Sequence, residues 1–388
     1  MEKVTEITGY LRPDGKVGVR NQVLVLATVS CVNGVIQRIS REVPEAVCVP
    51  HAFGCGRGGP RDLQILFRVL SGMVRHPNVG AAVLIGLGCE IANTRNLAPL
   101  IKDCGKPVEM LNVQECGSLK TAQKGAEAAR RFLTELKAQP RVSVSWDRLL
   151  VAMECGGSDA MSGVTANTAL GAVSDWIVEK GGTVIFGENT EMIGTDHILA
   201  RRAKNAEVAE RIVQMVKRAD QLANDVLGDL AGVVISPGNM DGGMSTIAEK
   251  SMGCIFKGGS TVINQVVDYG EPPTEKGLVL QDGPGYDGDS MAGLAVSGAQ
   301  VMFFSTGRGT PAGFPALPVI KVASNSRIYK AMPDDLDVNA GTLVEGKSRD
   351  ALRDEMIALL ARVVNGEKTK AEANGMEVFT FMTVHPPF

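Results

Sequence analysis

Short apolar runs alternate with stretches of helical period through the first part of the chain. Residues 22–28 (QVLVLAT), 46–50 (AVCVP), 81–87 (AAVLIGL) and 107–113 (PVEMLNV) are apolar at consecutive rather than alternate positions. That pattern predicts strands buried on both faces, as in a parallel sheet. Between them the spacing predicts helices near 33–43, 61–75, 92–104 and 118–138. Strand–helix alternation folds by right-handed crossovers into a doubly wound sheet. Charge and proline interrupt the pattern at 139–147 (QPRVSVSWD), and it then restarts. Strands are predicted at 148–153, 183–187, 277–281 and 299–304, and helices at 165–180, across 196–227 and at 349–364. A glycine-rich stretch from 236 to 290 has few periodic runs. The predicted fold class is α/β: two doubly wound, Rossmann- or flavodoxin-like domains with mostly parallel sheets. They span residues 1–142 and 143–388, with long glycine-rich loops in the second.

Composition narrows the function more than the fold. A net charge of −3, without a Lys/Arg block, and only 4% aromatic residues argue against a nucleic-acid surface, which needs a basic stripe with interleaved aromatics. The chain opens without a leader-like apolar run, and no run reaches the length that spans a bilayer. A cytoplasmic protein with no membrane partner is therefore expected. In that compartment the eight cysteines are reduced thiols, free to act as ligands, nucleophiles or core filler.

Three of those thiols sit in glycine turns just beyond predicted strands: Cys55 in AFGCGRGG, Cys89 in IGLGCE and Cys155 in AMECGGSD. Ligands of open α/β sheets bind outside the carboxyl ends of the strands. Cys55, Cys89 and Cys155 are accordingly expected to converge on one soft metal, either iron, an iron–sulfur cluster or zinc. Cys254 is a fourth candidate, whereas Cys31, Cys48, Cys104 and Cys116 lack the repeated setting and read as filler. The strand-and-turn segments VLIGLGCE and LLVAMECGGSD echo each other faintly.

His51, four residues before Cys55, is a candidate ligand or general base. His197 is a weaker candidate, and His76 and His385 read as structural and tail residues. The turn Gly156-Gly157-Ser158-Asp159 follows a strand and precedes a helix, so its backbone N–H groups and the helix dipole suit a substrate carboxylate. Glu154 and Asp159 could ligate metal or move protons there. The alternative is that Ser158 or Asp159 only caps the helix. Glu188 and Glu191 are paired carboxylates that could divide acid and base roles. Lys250 and Lys257 bracket Cys254, and a lysine there could protonate a leaving hydroxyl. Arg308, in STGRGT, could grip a carboxylate through both nitrogens; Asp282 and Asp287 are weaker candidates. The catalytic set read from the chain is His51, Glu188 and Lys257. Residues 54–59 match GxGxxG, but no acid follows at the distance a dinucleotide ribose requires, and the phosphate-loop motif is absent.

Taken together, GYLRPDGKVGVRN (9–21), HPNVGAAVLIGLGCE (76–90), ECGGSD (154–159), SPGN (236–239), EKSMGCIFKGG (249–259) and TGRGTP (306–311) resemble the altronate/galactarate dehydratase family. The likeness runs from about residue 9 to 370. It implies a hydro-lyase that converts aldonic or aldaric acids to 2-keto-3-deoxy acids with iron, as Fe2+ alone or in a [4Fe-4S] cluster. The family includes the large subunit of sulfolactate sulfo-lyase, which expels sulfite instead of water. Single-chain members carry an extra small N-terminal domain that this sequence lacks, which implies a separate small SAF-type partner subunit. The other expected partners are a small carboxylate substrate and further copies of the chain. A non-catalytic subunit that only binds sugar acids is the reading from a different class. Three departures from the family pattern bear on the substrate: Met240-Asp241 after SPGN in place of Lys-Ala, Phe256 where a histidine often precedes KGG, and Cys116 where an acid is common.

Overall fold

The computed structural model describes residues 6–56, 58–233 and 236–386. Strands β1 (Ile7–Leu11) and β2 (Val17–Gly18) form an antiparallel hairpin. Strands β3 (Gln22–Ala27), β4 (Val47–Val49), β5 (Val79–Gly86) and β6 (Val108–Asn112) form a parallel sheet in the order β4-β3-β5-β6. All eight positions of β5 are buried, which is why this strand reads as an unbroken apolar run. Strand β7 (Val142–Val144) returns to pair with β1, so the interruption at 139–147 is a structured joint rather than a loose linker.

The second parallel sheet has seven strands: β8 (Leu150–Cys155), β9 (Thr183–Phe186), β10 (Ile263–Asp268), β11 (Gly277–Asp282), β12 (Val301–Thr306), β13 (Val319–Ala323) and β14 (Val338–Asn339). Their order is β10-β11-β9-β8-β12-β13-β14. The chain leaves β8 towards β9 on one side and later returns to β12 on the other. The switch point, where ligands of open sheets bind, therefore lies between β8 and β12. In the four-stranded sheet it lies between β3 and β5.

Several elements differ from the sequence pattern for identifiable reasons. The long helix expected across 196–227 is two helices, Asp196–Ala200 and Ala206–Leu227, because the Asn205 side chain caps the second by accepting from Val208 N–H. Strand β13 is hidden by Lys321, which is buried with its stem along Phe304 and its ammonium on the Thr310 carbonyl. The glycine-rich stretch holds the expected strand β11 and also β10, where polar Asn264 and Gln265 mask the apolar run.

One apolar cluster joins the two parallel sheets. It includes Leu24, Leu26, Ile65 and Val69 on one side and Ala152, Ile185, Met291 and Phe304 on the other. Each Leu, Ile, Val, Met or Phe among them, fully buried, contributes about 1.5–3 kcal/mol. Helices Pro60–Arg75 and Asp287–Val296 meet in this layer, so closely at Gly72 that a Cβ there would lie 2.7 Å from Val296 Cβ. The C-terminal segment crosses the starts of both helices: Thr380 Oγ1 donates to Asp289, and Val384 N–H to Asp62. Each helix starts at the carboxyl edge of its own sheet. Both edges consequently open on the same side of the molecule. No helix among the described residues is long and apolar enough to cross a membrane.

Candidate active site

Strand β8 ends in Glu154 and Cys155, both buried. The next strand, β9, ends in a turn that places Glu188 at φ 74°, in the left-handed region that side chains rarely adopt. A residue held there costs about 1–3 kcal/mol and persists only when its surroundings over-determine it. Here the surroundings are specific. Glu188 Oε2 accepts from the Cys155 N–H at 3.3 Å and pairs with the Lys257 ammonium. Lys257 arrives from the turn after helix Ile247–Cys254, and Lys257 and Glu188 are 1% and 0% exposed. The lysine Nζ also lies 3.1 Å from Cys155 Sγ and 3.2 Å from Cys254 Sγ.

Glu191 completes the group. Its carboxylate accepts from both thiols and pairs with Lys250. The two sulfurs are 2.7 Å apart, and both cysteines are free thiols. One ligand atom from each of Cys155, Glu188, Glu191 and Cys254 falls within 4.8 Å of the others, close enough to hold a metal ion. Glu154, Glu188 and Asp287 make a second such group.

Burial dominates the electrostatics. It pushes the Glu154 carboxyl up to about 8 against the pull of Lys257, and Asp287 up to about 6. It also pushes Glu188 and both thiols up. Burial works against the Lys257 ammonium as well, but the thiols and carboxyls around it outweigh that cost and hold its proton firmly. At Glu191 burial is outweighed by Lys250 and Lys257, so that carboxyl is pulled down. The Oε1 atoms of Glu154 and Glu188 are buried without a protein donor. Such orphaned oxygens are uncommon in folded proteins and mark a site built for a proton, an ion or a ligand.

The ECGGSD turn stands directly above this group. Gly156 permits a very close approach, since a Cβ there would lie 2.1 Å from Asp287 Oδ2. Gly157, at φ 59°, offers its carbonyl to the N–H groups of Gly307 and Arg308, 3.0 and 2.7 Å away, which joins the loops after β8 and β12. The Ser158 carbonyl accepts from Asn239 at 2.9 Å. Asp159 is a hub: its carboxylate accepts from Ser162, Ser324 and Asn325. It therefore clamps the turn. The Arg308 side chain is exposed at the same edge.

The expected set Cys55, Cys89 and Cys155 is not brought together. Cys55 and Cys89 are exposed at the edge of the four-stranded sheet, whereas Cys155 is buried against Cys254 in the other sheet. Among the described residues the three do not form a group within ion-binding distance. His51 is likewise spent on structure. Its Nε2–H donates to the Ala27 carbonyl at 2.7 Å and its Nδ1 accepts from Phe53 N–H at 3.1 Å, and burial lowers its pKa to about 4. His76 repeats that arrangement with Ala299 and Asn78. Asp282 braces the rim through Asn189 and Arg218, and His197 is exposed. Two cavities, of about 550 and 440 Å3, open at the amino ends of the strands and touch none of these groups.

Family models cover most of the chain. "D-galactarate dehydratase/Altronate hydrolase, second domain" matches residues 9–137, and "D-galactarate/Altronate dehydratase, C-terminal" matches residues 146–386. An altronate dehydratase of Bacillus subtilis is 35% identical, over 94% of this chain and 75% of its own length. The beta subunit of (2R)-sulfolactate sulfo-lyase from Chromohalobacter salexigens is 33% identical over 97% of each chain. Galactarate dehydratase (L-threo-forming) of Escherichia coli is 33% identical, over 87% of this chain and 68% of its own length.

Proposed function

The chain belongs to the D-galactarate/altronate dehydratase family, and from that premise we propose that it is a hydro-lyase that removes water from a sugar acid such as altronate or galactarate. The product is a 2-keto-3-deoxy acid. Such an elimination needs a base for the proton beside the carboxylate, an acid for the departing hydroxyl and positive charge near the developing enediolate. The observation that carries the reading is the Lys257–Glu188 pair, sealed from water beneath the ECGGSD turn at the switch point of the larger sheet.

Glu188 takes the proton from carbon, and Lys257, held charged by its acidic surroundings, gives one to the leaving hydroxyl. Arg308 grips the substrate carboxylate from the β12 loop. Gly156, Gly157 and Ser158 allow close approach of the backbone, and Asp159 acts as a positioning residue for that turn. His51 has no ring nitrogen left to serve as a base.

Iron is the proposed cofactor; bound, it would polarise the hydroxyl and carboxylate of the substrate as a Lewis acid. The donors of Cys155, Glu188, Glu191 and Cys254 suit iron in type and spacing. Their arrangement does not fit it, because the Lys257 ammonium already stands among them. A cytoplasmic, homo-oligomeric enzyme working with a small partner subunit belongs to the same proposal.

The test is anaerobic turnover of altronate, galactarate and sulfolactate with ferrous iron present, read as keto-acid formation. Wild-type protein is expected to convert at least one sugar acid, and Lys257→Met to lose about 10²–10⁴-fold in kcat. Undiminished kcat in a folded Lys257→Met protein would sink the assignment. A second reading is sulfite elimination as one subunit of a sulfo-lyase. It is supported by the 33% identity to that beta subunit over 97% of this chain. Sulfite release from sulfolactate, with no sugar acid turned over, would select it.

A further inference from the structure

The segment GYLRPDGKVGVRN takes no part in the proposed acid–base centre. It forms the hairpin of β1 and β2 and leads into β3, at the amino ends of the strands. A cavity of about 440 Å3 opens beside it, where the hairpin meets the starts of β5 and β6 and the joint before β7. Arg12 and Lys106 line that cavity, yet they are only 4% and 8% exposed. Tyr10 and Gln139 supply its other polar side chains. Among the described residues no aspartate or glutamate lines it.

Buried cations are ordinarily paired with an acid. Among the described residues these two are not. Lys106 Nζ donates to the carbonyls of Val74 and His76, at 3.1 and 2.6 Å. Those carbonyls end helix Pro60–Arg75, whose dipole amounts to about half a charge. Arg12 donates to the carbonyls of Pro77 and Arg20, at 2.6 and 2.7 Å, and to Asn21 Oδ1 at 2.6 Å. Carbonyl oxygens spread a positive charge but do not cancel it. They also leave donors unspent, one N–H of the ammonium and two of the guanidinium. The one acid of the hairpin loop, Asp14, is held by Lys16 and lines the other cavity.

The cations also crowd one another. Burial, and after it Arg12, lowers Lys106 to about 7. Burial, and after it Lys106, lowers the adjoining His76 to about 3. A third cation stands at the rim. Arg141, between the lining residues Pro140 and Val142, shares the Tyr10 ring with Arg12, at 4.9 and 5.7 Å from its centre. Its guanidinium donates to Thr8 and to the carbonyls of Val19 and Val364, again without an acid.

We propose that this cavity binds a small oxyanion, a carboxylate or a phosphate, gripped by Arg12 and Lys106. A guanidinium beside an ammonium is the donor set that such anions take. The volume falls within the range of small-ligand sites, about 300–1,000 Å3. The site lies at the opposite ends of the strands from Glu188 and Lys257, so its occupant is not the reacting molecule. Its position gives it a hold on the whole chain. Residues 74–78, on which both cations rest, also join the two domains. His76 Nε2–H donates to the Ala299 carbonyl, and Asn78 Nδ2 donates to the carbonyls of Gln300 and Ala316. An anion that neutralises Arg12 and Lys106 acts on that joint. The site does not rest on the dehydratase reading.

The experiment is isothermal titration of the full chain with inorganic phosphate and, separately, with succinate, at constant ionic strength set by chloride. Wild-type protein is expected to bind at least one of them at one site per chain, and the arm that binds tells phosphate from carboxylate. Lys106→Met removes a gripping charge and is expected to weaken binding about tenfold or more. Because Lys106 also caps a helix, Gln139→Glu is the second variant. It adds a carboxylate at the exposed wall, keeps both cations and can still accept from Asn21. It too is expected to weaken binding about tenfold or more. Arg308→Ala, altered at the carboxyl edge alone, is expected to bind as wild type does. Thermal melts establish that each variant is folded. Absence of heat from both anions at millimolar concentration overturns the proposal. Binding that a folded Gln139→Glu protein retains in full overturns it too, as does binding that Arg308→Ala abolishes.

Discussion

At the edge of the four-stranded sheet Cys89 is exposed in its glycine turn, whereas at the edge of the seven-stranded sheet Cys155, in a turn of the same kind, is sealed against Cys254, Glu191 and Lys257. Both turns follow a central strand of a parallel sheet and both use glycine to bring the backbone round. What differs is the cover. Helix Ile247–Cys254 and the turn after it close over the second edge and carry in a thiol and two lysines. The same local motif thus yields an open thiol in one place and a buried charge network in the other. Burial decides the chemistry: it pushes Glu154, Glu188 and both thiols up directly, and it packs together the charges that hold the Lys257 proton on and pull Glu191 down.

The comparison can be broken most sharply at the buried ion pair. Glu188→Gln leaves the Lys257 ammonium without its partner, and the expected cost is about 3–5 kcal/mol of stability. The double variant Glu188→Leu/Lys257→Met is expected to recover most of that loss in a denaturant melt and to stay inactive. A Glu188→Gln protein as stable as wild type would mean the pair is not sealed as described.

A smaller effect is expected where the turn touches the network. Gly156→Ala puts a methyl group where Asp287 Oδ2 lies 2.1 Å away, so the acid or the turn must shift. A displacement of that size near reacting groups costs on the order of 10²-fold in kcat. Unaltered kinetics would show that Asp287 has room to retreat and is not part of the site.

The smallest effect belongs to the first edge and sharpens its contrast with Lys257. His51 is kept neutral down to about pH 4 by burial, while the unfolded chain protonates it near 6.5. Across that window the unfolded state binds more protons, so stability falls as pH falls, by at most about 1.4 kcal/mol per pH unit for one such histidine. His76, held neutral to about 3 for the same reason, adds to the slope. His51→Gln is expected to flatten the acid limb of melts taken between pH 6.5 and 4 by its own share. An identical limb would restore His51 as a group that titrates freely and is available for chemistry.

Much of the architecture is legible in the chain because strands buried on both faces leave continuous apolar runs, as β3, β5 and β9 do. Where a polar side chain is buried in a strand the signal fails, as with Lys321 in β13. Cys155, Glu188 and Lys257 stand out individually, since each sits beside glycine near a strand or helix end. The partnership of Cys155 with Lys257, 102 residues apart, leaves no local trace. Cys31 has no adjacent glycine to flag it, and only the order of the strands places it between Cys55 and Cys89. His51 illustrates the opposite error: its spacing from Cys55 suggests a ligand, but the carbonyl that occupies its Nε2 comes from Ala27 on another strand.

By itself the sequence determined the α/β class, the run of parallel strands, the glycine turns at their carboxyl ends and the family. Those properties follow from periodicity and backbone preference, which act between near neighbours in the chain. Only the tertiary structure decided which thiols are sealed and which exposed, that Lys257 stands among two sulfurs and a carboxylate, and that His51 is a strut. Burial and charge coupling are set by contacts between distant segments, and spacing along the chain does not encode them.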